Sequence, residues 1–292
     1  MLTKKKVFGA FEYITFILPT FIVISITTNI PFFLNIIYSF CNWNGISRKI
    51  SFNGINNFIE LFTDDPDFWH NAIFTFKYFG FYVIIVNILS LFIASILIRG
   101  FRGENSLRAL FYMPNVIGLI VAGLMWKFVF GPGFTSLASL TGLDIFNIGW
   151  LSEPKYEMIV ILITSFWQTA GFYMVIYIAG FNNIPVELKD AALIDGAYGF
   201  RRLFNITLPL IIPSITVCLF TSMTYALKLF ETVLVMTNGG PAGATKTIVF
   251  NLYEEAFVRN RYGYGTAKSL ILFIIVLVMT VIQLKVVKRR ET

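Results

Sequence analysis

The stretch Val186–Pro213 reads VELKDAALIDGAYGFRRLFNITLPLIIP and lies between two long hydrophobic segments. Charged and small residues gather in it, whereas most of the sequence around it is apolar. A bilayer leaves no water for exposed backbone groups, so a polar run of this kind belongs in water, at the surface of a membrane domain. The regular spacing of its alanines and glycines, followed by Pro209 and Pro213, indicates a structured element rather than an ordinary loop.

The composition of the whole chain also favours a membrane protein. Of its 292 residues, 57% are hydrophobic and 13% are charged, and the mean hydropathy is +0.74. Soluble domains carry about a quarter charged residues. The net charge of +7 does not indicate a nucleic acid partner, because the basic residues cluster at the ends of apolar segments. Cys41 and Cys218 are interpreted as packing residues, and neither a metal site nor a cofactor is predicted.

Apolar runs near or above the roughly 20 residues that a crossing helix needs recur along the chain. We therefore predict an all-α, polytopic membrane protein with six transmembrane helices. Their predicted bounds are about Ile14–Phe40, Ala72–Ile98, Ala109–Phe130, Met158–Phe181, Leu210–Met236 and Ala267–Val287. The first is expected to be an uncleaved membrane helix, since its apolar run is too long for a signal peptide. The third is expected to end at Gly131-Pro132-Gly133, because proline and glycine oppose helix continuation.

The basic residues of the loops set the expected orientation. Cytoplasmic loops carry an excess of lysine and arginine. Placing both termini in the cytoplasm collects most of the basic loop residues there, including Arg99, Arg102, Arg201 and Arg202. The predicted location is therefore the cytoplasmic membrane, with both termini and Val186–Pro213 inside the cell.

Two helices are predicted within the polar stretch. Val186–Ile194 can form a short helix, and Asp195-Gly196 is expected to end it, because glycine takes the left-handed conformation found at helix ends. Tyr198–Ile206 is expected to form a second helix that leads into the membrane. Pro209 and Pro213 lie near its entry, where they set its direction.

Two sets of residues here resemble a known family. Asp190-Ala191-Ala192, then Gly196, then Ile206-Thr207-Leu208-Pro209 is similar to the EAA motif, which marks the membrane subunits of binding-protein-dependent ABC importers. Asp195-Gly196-Ala197 and Thr237-Asn238-Gly239-Gly240-Pro241 resemble the carbohydrate branch of that family, the maltose-permease type. The resemblance covers the chain from the first helix onward. One departure is Asp190, where the motif usually has glutamate.

The resemblance implies the type I ABC importer (MetI-like) permease fold and a division of the chain into three parts. These are an N-terminal segment over residues 1–68, a permease core over 69–287 with a coupling loop at 186–209, and a basic tail over 288–292. In this family the motif forms a coupling helix that docks into a cleft of the ATPase. The residues that the resemblance implies for coupling to the ATPase are Asp190, Ala191, Ala192, Asp195, Gly196 and Pro209.

The resemblance also implies the partners and the substrate class. They are a second homologous permease subunit, two ATPase subunits, an extracytoplasmic solute-binding protein and a sugar, in an assembly surrounded by membrane lipid. The chain contains no GxxxxGK[ST] phosphate loop, which is the usual means of holding ATP phosphates. We therefore do not expect this subunit to be an enzyme, and ATP hydrolysis is assigned to the ATPase partner.

Polar residues inside the crossings suggest a substrate pathway, since such residues are costly in a bilayer unless they face a cavity or a partner. Helical spacing places them on two faces, with Ser165, Gln168, Thr169 and Phe172 on the fourth crossing and Ser222, Tyr225, Ala226 and Leu229 on the fifth. The resemblance implies that these faces line a sugar cavity. The alternative is hydrogen bonding between helices. Lys228 and Glu231 are three residues apart and are expected to pair on one helix face.

Other functions stay open from the sequence. A related permease could carry a non-sugar solute such as glycerol phosphate, and Lys228 would then be a possible anion contact. An integral membrane enzyme is disfavoured by the lack of His/Asp/Glu clusters in the crossings, and a sensor by the lack of a large soluble domain. A stand-alone secondary transporter would show inverted repeats and would need no coupling stretch.

Overall fold

A computed structural model describes residues 15–291, so the predicted N-terminal tail and the start of the first crossing at Ile14 lie outside the described residues. Twelve helices and one small hairpin follow along this part of the chain, besides short 3-10 helices at Asp144–Phe146 and Pro241–Gly243 and a π-helical turn at Glu254–Val258. They are α1 (Thr15–Ser39), β1 (Cys41–Asn42), β2 (Ser51–Phe52), α2 (Asn56–Thr63), α3 (Pro66–Leu97), α4 (Glu104–Val116), α5 (Leu119–Thr141), α6 (Pro154–Asn182), α7 (Val186–Ile194), α8 (199–210), α9 (Ile212–Leu227), α10 (Glu231–Met236), α11 (Ile248–Tyr253) and α12 (Tyr262–Glu291).

The predicted membrane architecture is confirmed. Within residues 15–291, five helices are long and apolar enough to cross a membrane, namely α1, α3, α5, α6 and α12. The helical pair Leu203–Leu210 and Ile212–Leu227 makes a sixth span if its two arms, which meet at 70°, are counted as one. The chain is therefore an all-helical, polytopic membrane protein apart from the two-residue strands β1 and β2.

The third crossing does not have its predicted bounds. The predicted helix Ala109–Phe130 is divided between α4 and α5, because Ile117 has an extended backbone (φ −73°, ψ 131°) and Gly118 does not return to helix (φ −59°, ψ 142°). Nor does the helix stop at Gly131-Pro132-Gly133. A π-helical turn, Val129–Gly133, carries it through a kink at Gly131 and on to Thr141. A π turn shifts the hydrogen-bond register locally and so accommodates the proline.

The fifth crossing, predicted as one helix over Leu210–Met236, also breaks. Ile211 (φ −98°, ψ 13°) separates α8 from α9, with a proline two residues away on either side. A second break separates α9 from α10, where Phe230 has φ −141° and ψ −62°. A residue distant in sequence stabilises this second break, because the Thr247 hydroxyl donates a 2.7 Å hydrogen bond to the carbonyl oxygen of Leu229.

The chain divides into two compact units. The larger one holds Pro66–Asn251 and the described residues from Ile274 onward. Its core lies where α3, α6 and α9 pack together, and fully buried aromatic side chains, Tyr78, Tyr82 and Tyr177, fill much of it. Helix α4 packs on α6, and α5 packs on α10. The polar residues of the predicted pathway all belong to this unit.

The smaller unit holds the described residues up to Asp65 together with Leu252–Phe273. The Asn57 amide fastens the end of α1 to the hairpin by donating to the carbonyl oxygens of Ser39, at 2.8 Å, and Cys41, at 3.0 Å. The backbone of Gly263 also comes against Cys41, since its N–H donates to the Trp43 carbonyl oxygen and a Cβ there would overlap the Cys41 carbonyl oxygen.

An ionic network crosses this smaller unit. The ammonium of Lys268, fully buried, lies 2.6 Å from an Asp65 carboxylate oxygen and 3.7 Å from Glu255. Glu255 also accepts from Arg259 at 2.7 Å, and the Tyr264 hydroxyl donates to Asp65 at 2.7 Å. Buried charges are tolerated only when they are paired in this way.

The predicted division at residues 68 and 287 is a family-based division and stays a prediction.

Candidate coupling and translocation sites

The polar stretch folds as predicted at its centre. Helix α7 covers Val186–Ile194, and Gly196 follows it with φ +70°. The turn is closed by two backbone hydrogen bonds, from Asp195 N–H to the Ala191 carbonyl oxygen at 3.0 Å and from Ala197 N–H to the Ala192 carbonyl oxygen at 2.9 Å. Such bonds satisfy carbonyls that a helix end leaves free. The second helix begins at Gly199, one residue after the predicted Tyr198.

The outward face of this segment is not covered by the described part of the chain. Asp190, Ala191, Asp195 and Gly196 are exposed. Apolar side chains are exposed beside them, with Ile194 at 86%. A Cβ built at Gly196 would meet no atom within 4 Å. Apolar groups exposed beside charged ones are typical of surfaces that bind another molecule.

Two of the predicted coupling residues are placed differently from the rest. Ala192 is only 3% exposed, so it packs inward against its own chain and is not available for a direct contact with a partner. Pro209 lies in α8, two residues before the 70° bend, so it is positioned to set the angle of the bend.

The predicted pathway faces on α6 and α9 turn toward one another and toward α3. The Thr169 hydroxyl lies 2.8 Å from the Tyr82 hydroxyl, and the Ser222 hydroxyl accepts a 2.9 Å hydrogen bond from the Asn87 amide. The Gln168 amide donates to the Ile117 carbonyl oxygen at 2.9 Å, where α4 gives way to α5. The faces thus form hydrogen bonds between helices.

Three hydroxyl groups are buried close together in the same region, those of Tyr78, Ser165 and Tyr225, and the Ser165 hydroxyl lies near both tyrosines. The ring of Tyr82 stacks on Tyr78 and on Tyr225, with centroids 5.5 Å and 5.1 Å apart. Stacked rings with clustered hydroxyls are suited to polyhydroxylated ligands, which offer both hydroxyls and C–H faces.

The remaining predicted residues have other surroundings. Phe172 is half-buried and its ring packs edge-on against Tyr173, 5.3 Å away. Leu229 is 4% exposed and lies in the break between α9 and α10. Lys228 follows the end of α9 and Glu231 begins α10, so a break in the helix lies between them, and their expected pairing stays a prediction. Among the ion pairs of residues 15–291 none joins the two.

The contribution of α3 was not predicted from the sequence. Asn87 connects three helices, since its amide reaches Ser222 on α9 while its carbonyl oxygen accepts from the Tyr177 hydroxyl of α6 at 2.7 Å. Tyr78 and Tyr82, one helical turn apart, form the stack described above. An asparagine in the middle of a crossing is itself a signal, because polar residues there are rare and serve a purpose.

The Thr-Asn-Gly-Gly-Pro segment forms a tight turn after α10. Its residues Asn238, Gly239 and Gly240 all have positive φ. A Cβ on Gly240 would overlap the carboxylate of Glu157, which is fully buried, so glycine is required for this close approach. Within the described residues, no group of three or more His, Cys, Asp or Glu side chains could hold a metal ion.

Comparison with known proteins connects these features. A family model described as "Binding-protein-dependent transport system inner membrane component" matches residues 86–292. The "Probable starch degradation products transport system permease protein AmyD" of Thermoanaerobacterium thermosulfurigenes is 37% identical over 100% of this chain and 99% of its own length. The sn-glycerol-3-phosphate transport system permease protein UgpA of Brucella abortus is 30% identical over 86% of each chain.

The fold also matches a solved structure, that of a bacterial alginate ABC transporter in complex with an alginate pentasaccharide-bound periplasmic protein. A chain of that structure superimposes with a TM-score of 0.81 over 96% of this chain and 94% of its own length. The two sequences are 20% identical, so the likeness concerns the fold.

Proposed function

Because the chain belongs to the family of binding-protein-dependent transport system inner membrane components, we propose that it is the permease subunit of an ATP-driven importer for a mono- or oligosaccharide. In this proposal it lies in the cytoplasmic membrane with both termini in the cytoplasm, in agreement with the basic residues of its loops. It pairs with a second, similar permease, and two ATPase subunits and an external solute-binding protein complete the assembly.

The observation that carries the proposal is the uncovered surface of α7. This helix projects exposed Asp190 and Ala191 next to exposed apolar groups such as Ile194. A partner that covers this surface removes the apolar groups from water, and a cationic residue of that partner can pair with Asp190. Helix α7 leads through the α8–α9 bend to Ser222 and Tyr225, so a force applied at α7 reaches the polar interior.

The proposed substrate class rests on the polar interior and on the relatives. Stacked tyrosines beside a cluster of three buried hydroxyls suit a sugar. The relative from Thermoanaerobacterium thermosulfurigenes, which is matched over the whole of this chain, is named for the transport of starch degradation products. We infer that a transported sugar replaces the present contacts between helices when the permease opens to one side.

The coupling role is tested by substituting Gly196 with leucine. The matched control is Gly142→Leu, because Gly142 also has positive φ (+67°) and also has no atom within 4 Å of a built Cβ. Both variants carry similar backbone strain. We expect Gly196→Leu to reduce uptake in proteoliposomes to background while the variant still inserts, and Gly142→Leu to keep uptake. Normal uptake by Gly196→Leu, or equal loss in both variants, would refute docking at this segment.

A second candidate substrate is glycerol phosphate, for which one relative is named. Lys228 supports it, because its side chain is exposed at the break after α9 and forms no ion pair within residues 15–291. Comparing the uptake of labelled maltooligosaccharide and labelled glycerol 3-phosphate distinguishes the two. If the substrate is the anion, Lys228→Ala lowers uptake of the phosphate, and unchanged uptake excludes this contact.

A further inference from the structure

A cavity of about 630 Å³ opens beside the coupling segment, within the larger unit. The ends of two membrane-spanning helices, α3 and α6, form part of its wall through Phe92 and Phe181, and α8 contributes Leu203. Helices that cross a membrane end at its interface with water. The cavity therefore lies at that interface, on the same side of the membrane as α7.

Two arginines line this mostly apolar cavity, Arg99 and Arg202. Neither forms an ion pair or donates a side-chain hydrogen bond to any described residue. Arg108, nearby in sequence, differs, because it pairs with Glu104 at 3.4 Å and donates to the Leu97 carbonyl oxygen. No aspartate or glutamate of the described chain lines the cavity. It therefore carries net positive charge with no internal counter-ion.

These features call for a ligand that is anionic at one end and apolar at the other. Arginine binds phosphate oxygens through two parallel hydrogen bonds, and basic pockets between helices on the cytoplasmic side hold anionic lipid head groups. The volume falls within the roughly 300–1,000 Å³ of small-ligand sites. The head group of a phospholipid lies at the membrane interface, which is the depth of the cavity. Its phosphate can therefore lie among the arginines, with its acyl chains along the apolar wall.

We propose that this cavity is a binding site for one anionic phospholipid, held by Arg99 and Arg202 next to the coupling segment. Its assignment to the cytoplasmic leaflet rests on the proposed orientation of the chain. Binding of the lipid itself does not depend on that orientation. The lipid fills the space between the ends of α3 and α6 and the start of α8, so it also supports the segment that leads to the 70° bend.

The test measures lipid retained by the intact transporter, purified with the subunits that accompany it. The complex is exchanged into detergent with phosphatidylglycerol or with phosphatidylcholine, and bound lipid is counted by native mass spectrometry. We expect one tightly held phosphatidylglycerol per copy of this chain and no retained phosphatidylcholine. The double variant Arg99→Gln, Arg202→Gln should bind phosphatidylglycerol roughly 30-fold more weakly.

The matched control is Arg102→Gln, Arg201→Gln. These two arginines are exposed and adjacent in sequence to the same elements but do not line the cavity. The control removes equal charge, so unchanged retention in it supports the site. Equal loss in both double variants indicates a general attraction of basic loops for anionic lipid and overturns the proposal, as does full retention when Arg99 and Arg202 are replaced.

A further variant separates a lipid from a free anion. Phe92→Gln removes part of the apolar wall and leaves both arginines in place. Weaker retention of phosphatidylglycerol by this variant supports a lipid. If millimolar inorganic phosphate displaces phosphatidylglycerol, and Phe92→Gln has no effect, the site takes a small anion and the proposal is wrong. None of these experiments measures transport, so their results do not depend on the proposed substrate.

Discussion

Gly171 lies where α6 and α4 come into direct backbone contact. A Cβ built on it would overlap the carbonyl oxygen of Phe111 and would lie 2.6 Å from the Cα of Tyr112. These are backbone atoms of the neighbouring helix, so they cannot turn aside as a side chain would. Lipid is as apolar as leucine, and helices in membranes therefore associate through close packing at small residues. Gly171 is such a contact.

Gly171→Ala is expected to destabilise the protein by about 1–3 kcal/mol or more, as overpacking does. The control is Gly80→Ala in the middle of α3, where a Cβ would meet nothing within 4 Å. There the substitution should stabilise the helix by up to about 1 kcal/mol, because alanine is the better helix former. Thermal unfolding of the two variants in detergent should thus shift in opposite directions. A shift of both in the same direction contradicts the contact.

At the scale of elements, the smaller unit depends on its ionic network. Lys268 is fully buried and reaches Asp65 and Glu255. Lys268→Met should cost about 3–5 kcal/mol, because two carboxylates would lose a buried partner. The double variant Lys268→Met, Asp65→Asn should recover part of that loss, since it removes one of the stranded charges. Lys49→Met, at an exposed position, should shift the unfolding midpoint very little.

Elements that depend on contacts between residues close in sequence were predicted well, whereas elements that depend on contacts between distant residues were not. Helix α7 was predicted at both ends, because its stop is local and depends on Gly196, which has φ +70°. The breaks in the third and fifth crossings were not predicted. The break after α9 is stabilised by the hydroxyl of Thr247, 18 residues away, and no sequence pattern near Leu229 indicates it. Conversely, Gly131-Pro132-Gly133 has the composition of a helix end, yet a change of register carries the helix through it.

The polar interior was predicted only in part, because only some of its features depend on residues close in sequence. Helical spacing identified the faces of α6 and α9, because periodicity is visible in one segment at a time. It could not show which third helix those faces meet. Asn87 and Tyr82 of α3 supply that contact, and their partners on α6 and α9 lie 87 to 135 residues away in the sequence.

At the scale of the whole molecule, the source of energy distinguishes an ABC permease from a secondary transporter. We expect uptake by proteoliposomes that contain the complete assembly to require ATP on the side of α7, and to continue when ionophores collapse all ion gradients. An assembly with an inactive ATPase subunit serves as the control and should show no uptake. Uptake driven by an ion gradient without ATP would favour a secondary transporter.

The 70° bend at Ile211 gives the subunit the geometry of a lever. Its long arm is α9, whose 16 residues extend roughly 24 Å at 1.5 Å per residue. A rotation of about 10° about Ile211 displaces the far end of that arm by roughly 4 Å. Ser222 lies 11 residues along this arm from Ile211, so the same rotation moves it by roughly 3 Å, about the length of its 2.9 Å hydrogen bond to Asn87. A small tilt imposed at the surface is therefore enough to separate Ser222 from Asn87 and to open the interior.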